Sequence, residues 1–223
     1  MIKTVIFDMD GVIVNSEPLH HQVCKIQFEN LKIDVSDEMF ATFTGNSNKM
    51  IYEKLIDIFN LNHSVEALIS EKNQLFIEAF HQNQNHQLIE GVKDLIEELY
   101  AKGMQLIVAS SSEMEIINTV FDRYELQSYF SHKISGADFL ESKPNPALFL
   151  KAIALSGHEK SECIVIEDST NGIKAAKAAG IYCIAYKAAD VNTQNQTLAD
   201  TIIHHYKELN FENISKINTS ESL

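Results

Sequence analysis

Residues 3–14, which read Lys-Thr-Val-Ile-Phe-Asp-Met-Asp-Gly-Val-Ile-Val, decide the fold class of this chain. The short apolar run at residues 4–7 is typical of a buried strand in a parallel sheet. Asp8 and Asp10 come at its end, and Gly11 follows. Because open α/β sheets bind ligands at the carboxyl ends of their strands, we expect both aspartates at a ligand-binding edge. Taken alone, the same stretch also fits a solvated acidic turn.

Strand patterns and helical patterns alternate along most of the chain. Apolar runs at residues 5–7, 106–109, 164–166 and 182–185 predict short buried strands, and helical spacing fills the later intervals between them. Strands that alternate with helices form a parallel sheet with helices packed on it. The sequence therefore predicts an α/β fold, a doubly wound parallel sheet with a Rossmann-like core.

A helical insertion interrupts this alternation directly after the first predicted strand. Three helical patterns follow one another there without a convincing strand. We therefore expect an all-helical cap domain at residues 16–87 and a catalytic core formed by residues 1–15 and 88–223. Two chain crossings between such domains can act as a hinge.

The composition excludes several classes of partner. The formal net charge is −13, whereas nucleic acids and anionic membranes select basic surfaces, so we expect neither as a partner. No stretch has the length of an apolar membrane span, and the first acids interrupt the N-terminal apolar run too early for a signal peptide. We expect a cytoplasmic protein, monomeric or weakly dimeric, that acts on a small molecule.

Two further loops carry groups that suit an anion. Residues 110–112 are three serines directly after a predicted strand. Hydroxyls and amides that open a helix suit a phosphate or carboxylate, although serines in such places usually only cap the helix. Lys143 precedes Pro144 in a second loop, where a lone lysine is usually solvated. We expect a functional role for Lys143 because prolines restrict its backbone and the fold already carries an acidic cluster.

Glu167 and Asp168 repeat the arrangement of the first motif, since they follow the apolar run at residues 164–166. Two acidic strand ends in one sheet repel one another unless a cation neutralises them. Oxygen ligands suit Mg²⁺, which keeps several waters and typically takes one or two carboxylates and a substrate phosphate. The sequence therefore predicts a Mg²⁺ site at this edge of the sheet.

The order of these motifs resembles that of the haloacid dehalogenase superfamily. The helical insertion resembles the type 1 cap of one subfamily, which includes β-phosphoglucomutase and many sugar-phosphate phosphatases. The resemblance covers nearly the whole chain and rests on four motifs in sequence order: Asp8-x-Asp10-Gly11, Ser110, Lys143-Pro144 and Glu167-Asp168-Ser169.

The resemblance implies a role for each motif. Asp8 would be the nucleophile that forms an aspartyl-phosphate, and Asp10 the general acid and base, with a pKa that rises on cap closure. Ser110 and Lys143 would bind the phosphoryl oxygens, and Ser111 is a further substrate-binding candidate. Four residues would hold the Mg²⁺ ion: Asp8, Asp10 through its backbone carbonyl, Glu167 and Asp168.

Three residues of the helical insertion are candidates for binding substrate. His20 and Lys72 match a histidine and a lysine in the cap of β-phosphoglucomutase. Lys72 also lies a heptad from Val65 on an apolar stripe, so it either extends past the core to solvent or points at a ligand. Asn48 stands where that mutase carries an arginine that clamps a second phosphate.

These departures favour hydrolysis over isomerisation. Asn48 lacks the bidentate fork of arginine, and Glu113 stands where the mutase has a lysine. We therefore expect a phosphatase that hydrolyses a small phosphate monoester, most simply a sugar phosphate, with a phosphomutase as the alternative. A phospho-accepting receiver-like signalling module is disfavoured because it needs about half this length and has no cap after its first strand.

Overall fold

A computed structural model describes most of the 223 residues of the chain. The described ranges are 1–43, 47–83, 87–188 and 194–219. The chain divides into two compact units, one formed by Met1–Asn15 with Gln87–Leu223 and the other by Ser16–His86. Gly45 and Asn46 of the loop compared above with the mutase, and residues 84–86 near the second predicted domain boundary, lie outside the described ranges.

The first unit is built on a parallel sheet. In the described part of the chain six strands form this sheet, in the order β3-β2-β1-β4-β5-β6. The chain moves outward from β1 to β3 and then returns to β4 beside β1, which creates a topological switch point at the centre. The predicted doubly wound α/β fold is confirmed. The strands are β1 (Thr4–Phe7), β2 (Gln105–Ser110), β3 (His132–Ser135), β4 (Cys163–Glu167), β5 (Tyr182–Tyr186) and β6 (Thr201–Ile203).

Four α-helices belong to the second unit and the later ones to the first. None of the helices in the described ranges is long and apolar enough to cross a membrane. In chain order the helices are α1 (Glu17–Leu31), α2 (Asp37–Ala41), α3 (Asn48–Phe59), α4 (Val65–Gln82), α5 (Val92–Ala101), α6 (Met114–Arg123), α7 (Ala147–Ser156), α8 (Thr170–Ala179) and α9 (Phe211–Ser215).

The central strands were predictable and the edge strands were not. All four residues of β1 and all five of β4 are buried, as continuous apolar runs require. In contrast, β3 begins with His132 and Lys133, which are only partly buried, and β6 has three residues. Edge strands such as these need no long apolar run, so the sequence gives no strand pattern for them.

The second unit has its own small core. Its described residues form helices α1–α4 and no strand, in agreement with the helical insertion expected from the sequence. A buried amide also lies in this unit, since Gln27 of α1 donates from Nε2 to the carbonyl of Leu68 at 2.8 Å. The buried residues of the core are Phe28, Phe43, Tyr52, Leu55 and Leu68.

Candidate active site

Strands β1 and β4 deliver two acids side by side to the carboxyl edge of the sheet. In their parallel pairing Phe7 lies opposite Ile166. The amide of Asp8 donates to the carbonyl of Ile166 at 3.0 Å, which continues the pairing beyond β1. Asp8 and Glu167 are both buried. Adjacent central strands therefore bring together acids that are far apart in the sequence.

Gly11 allows the two acidic loops to approach one another. Its φ is 77°, in the left-handed region that favours glycine. Its amide donates to the carbonyl of Val14 at 2.8 Å, which closes the turn after Asp10. A Cβ atom on Gly11 would lie 2.2 Å from Oδ2 of Asp168. The turn and the neighbouring carboxylate both require glycine here.

Lys143 is buried among the groups of this edge. Its Nζ atom donates to Oδ1 of Asp8 at 2.7 Å and to Oε1 of Glu167 at 2.8 Å. The carbonyl of Ala109 in β2 lies 3.4 Å away, and the ring centroid of Phe149 lies 4.9 Å away. Lys143 is therefore buried, whereas a lysine in a loop is usually solvated.

Both carboxylate oxygens of Glu167 are engaged. Oε1 accepts from Lys143, and Oε2 accepts from the amides of Asp168 and Ser169, each at 2.7 Å. The hydroxyl of Ser169 also donates to Oε2 at 3.0 Å. Gly172 makes room for this carboxylate, because a Cβ atom there would lie 1.6 Å from Oε1. Glu167 is thereby fixed at the start of α8.

More negative than positive charge is buried at this edge. Burial raises the pKa of Asp8 from 3.8 to about 7, with Lys143 opposing the rise and Glu167 and Asp10 adding to it. Burial, followed by the charges of Glu167 and Asp8, raises the pKa of Asp168 well above its ordinary value. Burial alone would lower the pKa of Lys143, but Asp8 and Glu167 raise it, so this lysine is charged.

Asp8, Glu167 and Asp168 form an acidic cluster with the dimensions of a cation site. One carboxylate oxygen of each lies within 4.8 Å of the others. Such oxygen donors suit hard divalent cations, and a cation would relieve the repulsion that raises the pKa values of Asp8 and Asp168. Because Glu167 already accepts hydrogen bonds on both oxygens, the carboxylates of Asp8 and Asp168 are the better placed ligands.

Serine hydroxyls at the end of β2 and in the loop after it hold the carboxylate of Asp10. Ser112 donates from Oγ to Oδ2 of Asp10 at 2.7 Å, and Ser110 donates to the same atom at 3.3 Å. Ser135 of β3 in turn donates to the carbonyl of Ser112 at 2.8 Å. Ser111 is exposed. The first and third serines of this loop are thus the ones that contact Asp10.

A family comparison agrees with this geometry. The sequence profile of the haloacid dehalogenase-like hydrolases matches residues 5–186, which include every acid described above. The chain belongs to the haloacid dehalogenase-like hydrolase family. The resemblance inferred from the order of the motifs is confirmed.

Relatives of this hydrolase include proteins named as phosphatases. Putative phosphatase YhcW of Bacillus subtilis is 30% identical over 188 residues, which are 82% of this chain and 83% of that protein. The phosphorylated carbohydrates phosphatase of Thermotoga maritima is 26% identical over 81% of this chain and 82% of its own length. Protein SUPPRESSOR OF QUENCHING 1 of Arabidopsis thaliana is 29% identical, but this chain spans only 18% of it.

Solved structures show the same fold. The crystal structure of CbbY from Rhodobacter sphaeroides in complex with phosphate superimposes with a TM-score of 0.85 and 23% sequence identity. The match covers 94% of this hydrolase and 96% of that chain. The fold of the family therefore extends over nearly the whole chain.

In the helical unit of the hydrolase two of the predicted residues contact each other. Lys72 is buried, and its Nζ donates to Oδ1 of Asn48 at 2.6 Å. Its ammonium therefore does not extend into solvent. His20 stacks on Phe76, with ring centroids 4.4 Å apart. The helical spacing placed Lys72 on the apolar stripe, but no sequence pattern indicated its hydrogen bond to Asn48.

Two residues that support the acidic turn of this hydrolase were not predicted from its sequence. Ser112 lies in the predicted serine loop, where no feature of the sequence distinguishes it from the exposed Ser111. Tyr206 is buried, and its hydroxyl donates to the carbonyl of Val12 at 2.7 Å across 194 residues of sequence. No local sequence pattern indicates a contact between residues so far apart in the chain.

Proposed function

We propose that this hydrolase is a Mg²⁺-dependent phosphatase that cleaves a small phosphate monoester through an aspartyl-phosphate on Asp8. The observation that carries the proposal is the cluster formed by the buried Asp8, the partly buried Asp168 and the buried Lys143 ammonium at the switch point of the sheet. An ionisable group with a strongly shifted pKa at such a point is a good candidate for chemistry. The names of the Bacillus and Thermotoga relatives support a phosphatase.

In the first step an oxygen of Asp8 attacks the phosphorus, and the bond from phosphorus to the leaving oxygen breaks. Lys143 lies within hydrogen-bond reach of Asp8 and carries a positive charge, so it can neutralise phosphoryl oxygens as charge spreads over them. Ser110 adds a hydroxyl donor from the neighbouring loop. Glu167 holds the Lys143 ammonium in place from the other side.

Asp10 acts as the general acid and base in both steps. It gives its proton to the leaving oxygen and then takes a proton from the water that attacks the aspartyl-phosphate. The hydroxyl of Ser112, which donates to Oδ2 at 2.7 Å, orients its carboxylate.

The carboxylates of Asp8 and Asp168 and the backbone carbonyl of Asp10 would hold the Mg²⁺ ion. Bound Mg²⁺ would neutralise the repulsion between the nucleophilic carboxylate and an anionic substrate. The excess of buried carboxyl groups over the single ammonium of Lys143 supports a cation at this place. Glu167 contributes its negative charge and positions Lys143.

We propose a sugar phosphate as the substrate and hydrolysis as the reaction. The carbohydrate phosphatase among the relatives supports this substrate class. A phosphomutase would have to hold a second phosphate group, and the amide of Asn48 already accepts from Lys72. Lys49 is exposed and lies 4.0 Å from Glu53. A net charge of −13 supports a small molecule rather than a nucleic acid as the partner.

A phosphate-release screen over sugar phosphates and nucleoside monophosphates tests this proposal, with each substrate assayed in Mg²⁺ and in EDTA. β-Glucose 1-phosphate with a trace of bisphosphate is assayed for isomerisation in parallel. We expect Mg²⁺-dependent release that Asp8→Asn abolishes. Isomerisation much faster than release would favour the mutase, and equal release in EDTA would contradict the proposal.

A further inference from the structure

The segment from residue 194 to residue 206 lies beyond the part of the chain that matches the family profile. Three consecutive residues of it contact the loop that carries Asp168. Oε1 of Gln194 accepts from the amide of Thr170 at 2.8 Å, and the amide of Asn195 donates to Oγ1 of Thr170 at 2.7 Å. This segment is therefore bound to the start of α8.

Gln196 makes the most direct contact. Its Nε2 atom donates to the carbonyl of Asp168 at 2.6 Å and to the carbonyl of Tyr186 at 2.8 Å. Both neighbours are acceptors, so only the amide nitrogen with its two hydrogens fits between them. Gln196 is 7% exposed, so both bonds are shielded from water. The amide thus ties the acidic loop to the end of β5.

The backbone of Asp168 is consequently held on both sides. Its N–H donates to Oε2 of Glu167 at 2.7 Å, and its C=O accepts from Gln196. These two bonds fix the peptide planes that flank the Cα atom, and with them the direction in which the Asp168 carboxylate leaves the backbone.

The same C-terminal region also reaches the first acidic turn. Tyr186, whose carbonyl accepts from Gln196, stacks on Tyr206 with ring centroids 5.0 Å apart and planes 9° apart. The hydroxyl of Tyr206 donates to the carbonyl of Val12, two residues after Asp10. A continuous set of contacts therefore joins the loops of Asp168 and Asp10.

We propose that Gln196 is a positioning residue that fixes Asp168 for cation binding. The proposal rests on the Mg²⁺ site of the proposed function. Residues that orient a metal ligand without touching the metal commonly contribute about 10- to 100-fold in metal affinity. Removing the two donors of Gln196 should therefore weaken Mg²⁺ binding more than it weakens the fold.

The test uses Gln196→Met, which keeps the length and apolar volume of the side chain and removes both donors. Thr201→Val is the matched control, because it removes a side-chain hydrogen bond to Tyr182 at the opposite end of β5. The apparent dissociation constant of Mg²⁺ is obtained from the rise of Tm over a MgCl₂ series without substrate. We expect an increase of about tenfold in Gln196→Met and less than twofold in Thr201→Val.

Gln196→Glu is the second variant, since it keeps the shape and replaces the Nε2 atom, which donates to both carbonyls, with a carboxylate oxygen that can donate to neither. We expect a raised apparent dissociation constant of Mg²⁺ in this variant as well, obtained from the same Tm series. Equal Mg²⁺ affinity in the folded variants and the wild type, or equal weakening in Thr201→Val, would overturn the inference. So would failure of both Gln196 variants to fold, which would make the residue structural. A wild-type protein that neither binds Mg²⁺ nor releases phosphate would instead overturn the proposed function.

Discussion

Nζ of Lys143 lies 2.7 Å from Oδ1 of Asp8, although 135 positions separate the two residues in the sequence. The ion pair is buried, and the same ammonium contacts Glu167 at 2.8 Å. One cation therefore stabilises two carboxylates from adjacent strands. This one contact positions both the candidate nucleophile, Asp8, and the main positive charge of the site, Lys143.

Lys143→Met should destabilise the protein by about 3–5 kcal/mol, because it leaves two buried carboxylates without their counter-ion. Urea unfolding in EDTA at pH 8 measures this loss. Lys207→Met is the control, since the ion pair of Lys207 with Glu90 is exposed and its removal should change stability by less than about 0.5 kcal/mol. Equal losses in the two variants would contradict the stabilising role of Lys143.

The metal-free protein should lose stability as the pH rises from about 4 to about 7. The folded state raises the pKa of Asp8 from 3.8 to about 7, so between these values it keeps a proton that the unfolded chain releases. Stability falls with pH wherever the folded state binds more protons. Urea unfolding in EDTA at several pH values measures this slope.

Asp8→Asn should reduce that slope without removing it, because the pKa of Asp168 is raised as well. Glu66→Gln, which removes one exposed carboxylate, should leave the slope unchanged. A slope in Asp8→Asn as steep as in the wild type would show that Asp8 does not bind this proton.

Gly172→Ala should destabilise the protein, although alanine in a helix is ordinarily about 1 kcal/mol more favourable than glycine. The added Cβ would lie 1.6 Å from Oε1 of Glu167, so the carboxylate or the helix has to move. We expect a net loss of about 1–3 kcal/mol in urea unfolding.

The matched background for this substitution is Glu167→Ala, which removes the group that the new Cβ meets. In the Glu167→Ala background, the loss of stability caused by Gly172→Ala should become smaller or turn into a gain. The same loss in both backgrounds would place its cause elsewhere in α8.

Lys72→Met should raise KM for a sugar phosphate by about tenfold with a small change in kcat, because the sequence resemblance predicts that this ammonium binds substrate. Lys54→Met, at an exposed lysine of the same unit, is the control. Asn48→Ala should cost about 1–3 kcal/mol of stability, because it leaves the buried Lys72 without the oxygen that accepts from it. An unchanged KM in Lys72→Met would make the Lys72–Asn48 contact purely structural.

The sequence predicted what depends on local pattern. Apolar runs located β1 and β4, and the acids that end them, such as Asp8 and Glu167, lie together because parallel neighbours end at one edge. The edge strand β3 was missed because it begins with His132 and Lys133 and has no apolar run.

Contacts between distant residues were not predictable. The sequence could not distinguish Ser112 from Ser111 as the partner of Asp10. It also did not indicate that Gln196 donates a hydrogen bond to the carbonyl of Asp168. Such contacts depend on the three-dimensional path of the backbone, and no short sequence pattern indicates them.

The phosphorylation state of Asp8 during turnover tests the proposed mechanism most directly. The protein is mixed with the best substrate of the screen, quenched in acid and analysed by peptide mass spectrometry, with EDTA and Asp8→Asn as controls. We predict a phosphoryl group on Asp8 that needs Mg²⁺ and is absent in both controls. Rapid phosphate release with no phosphoryl group on Asp8, or undiminished release by Asp8→Asn, would contradict the account.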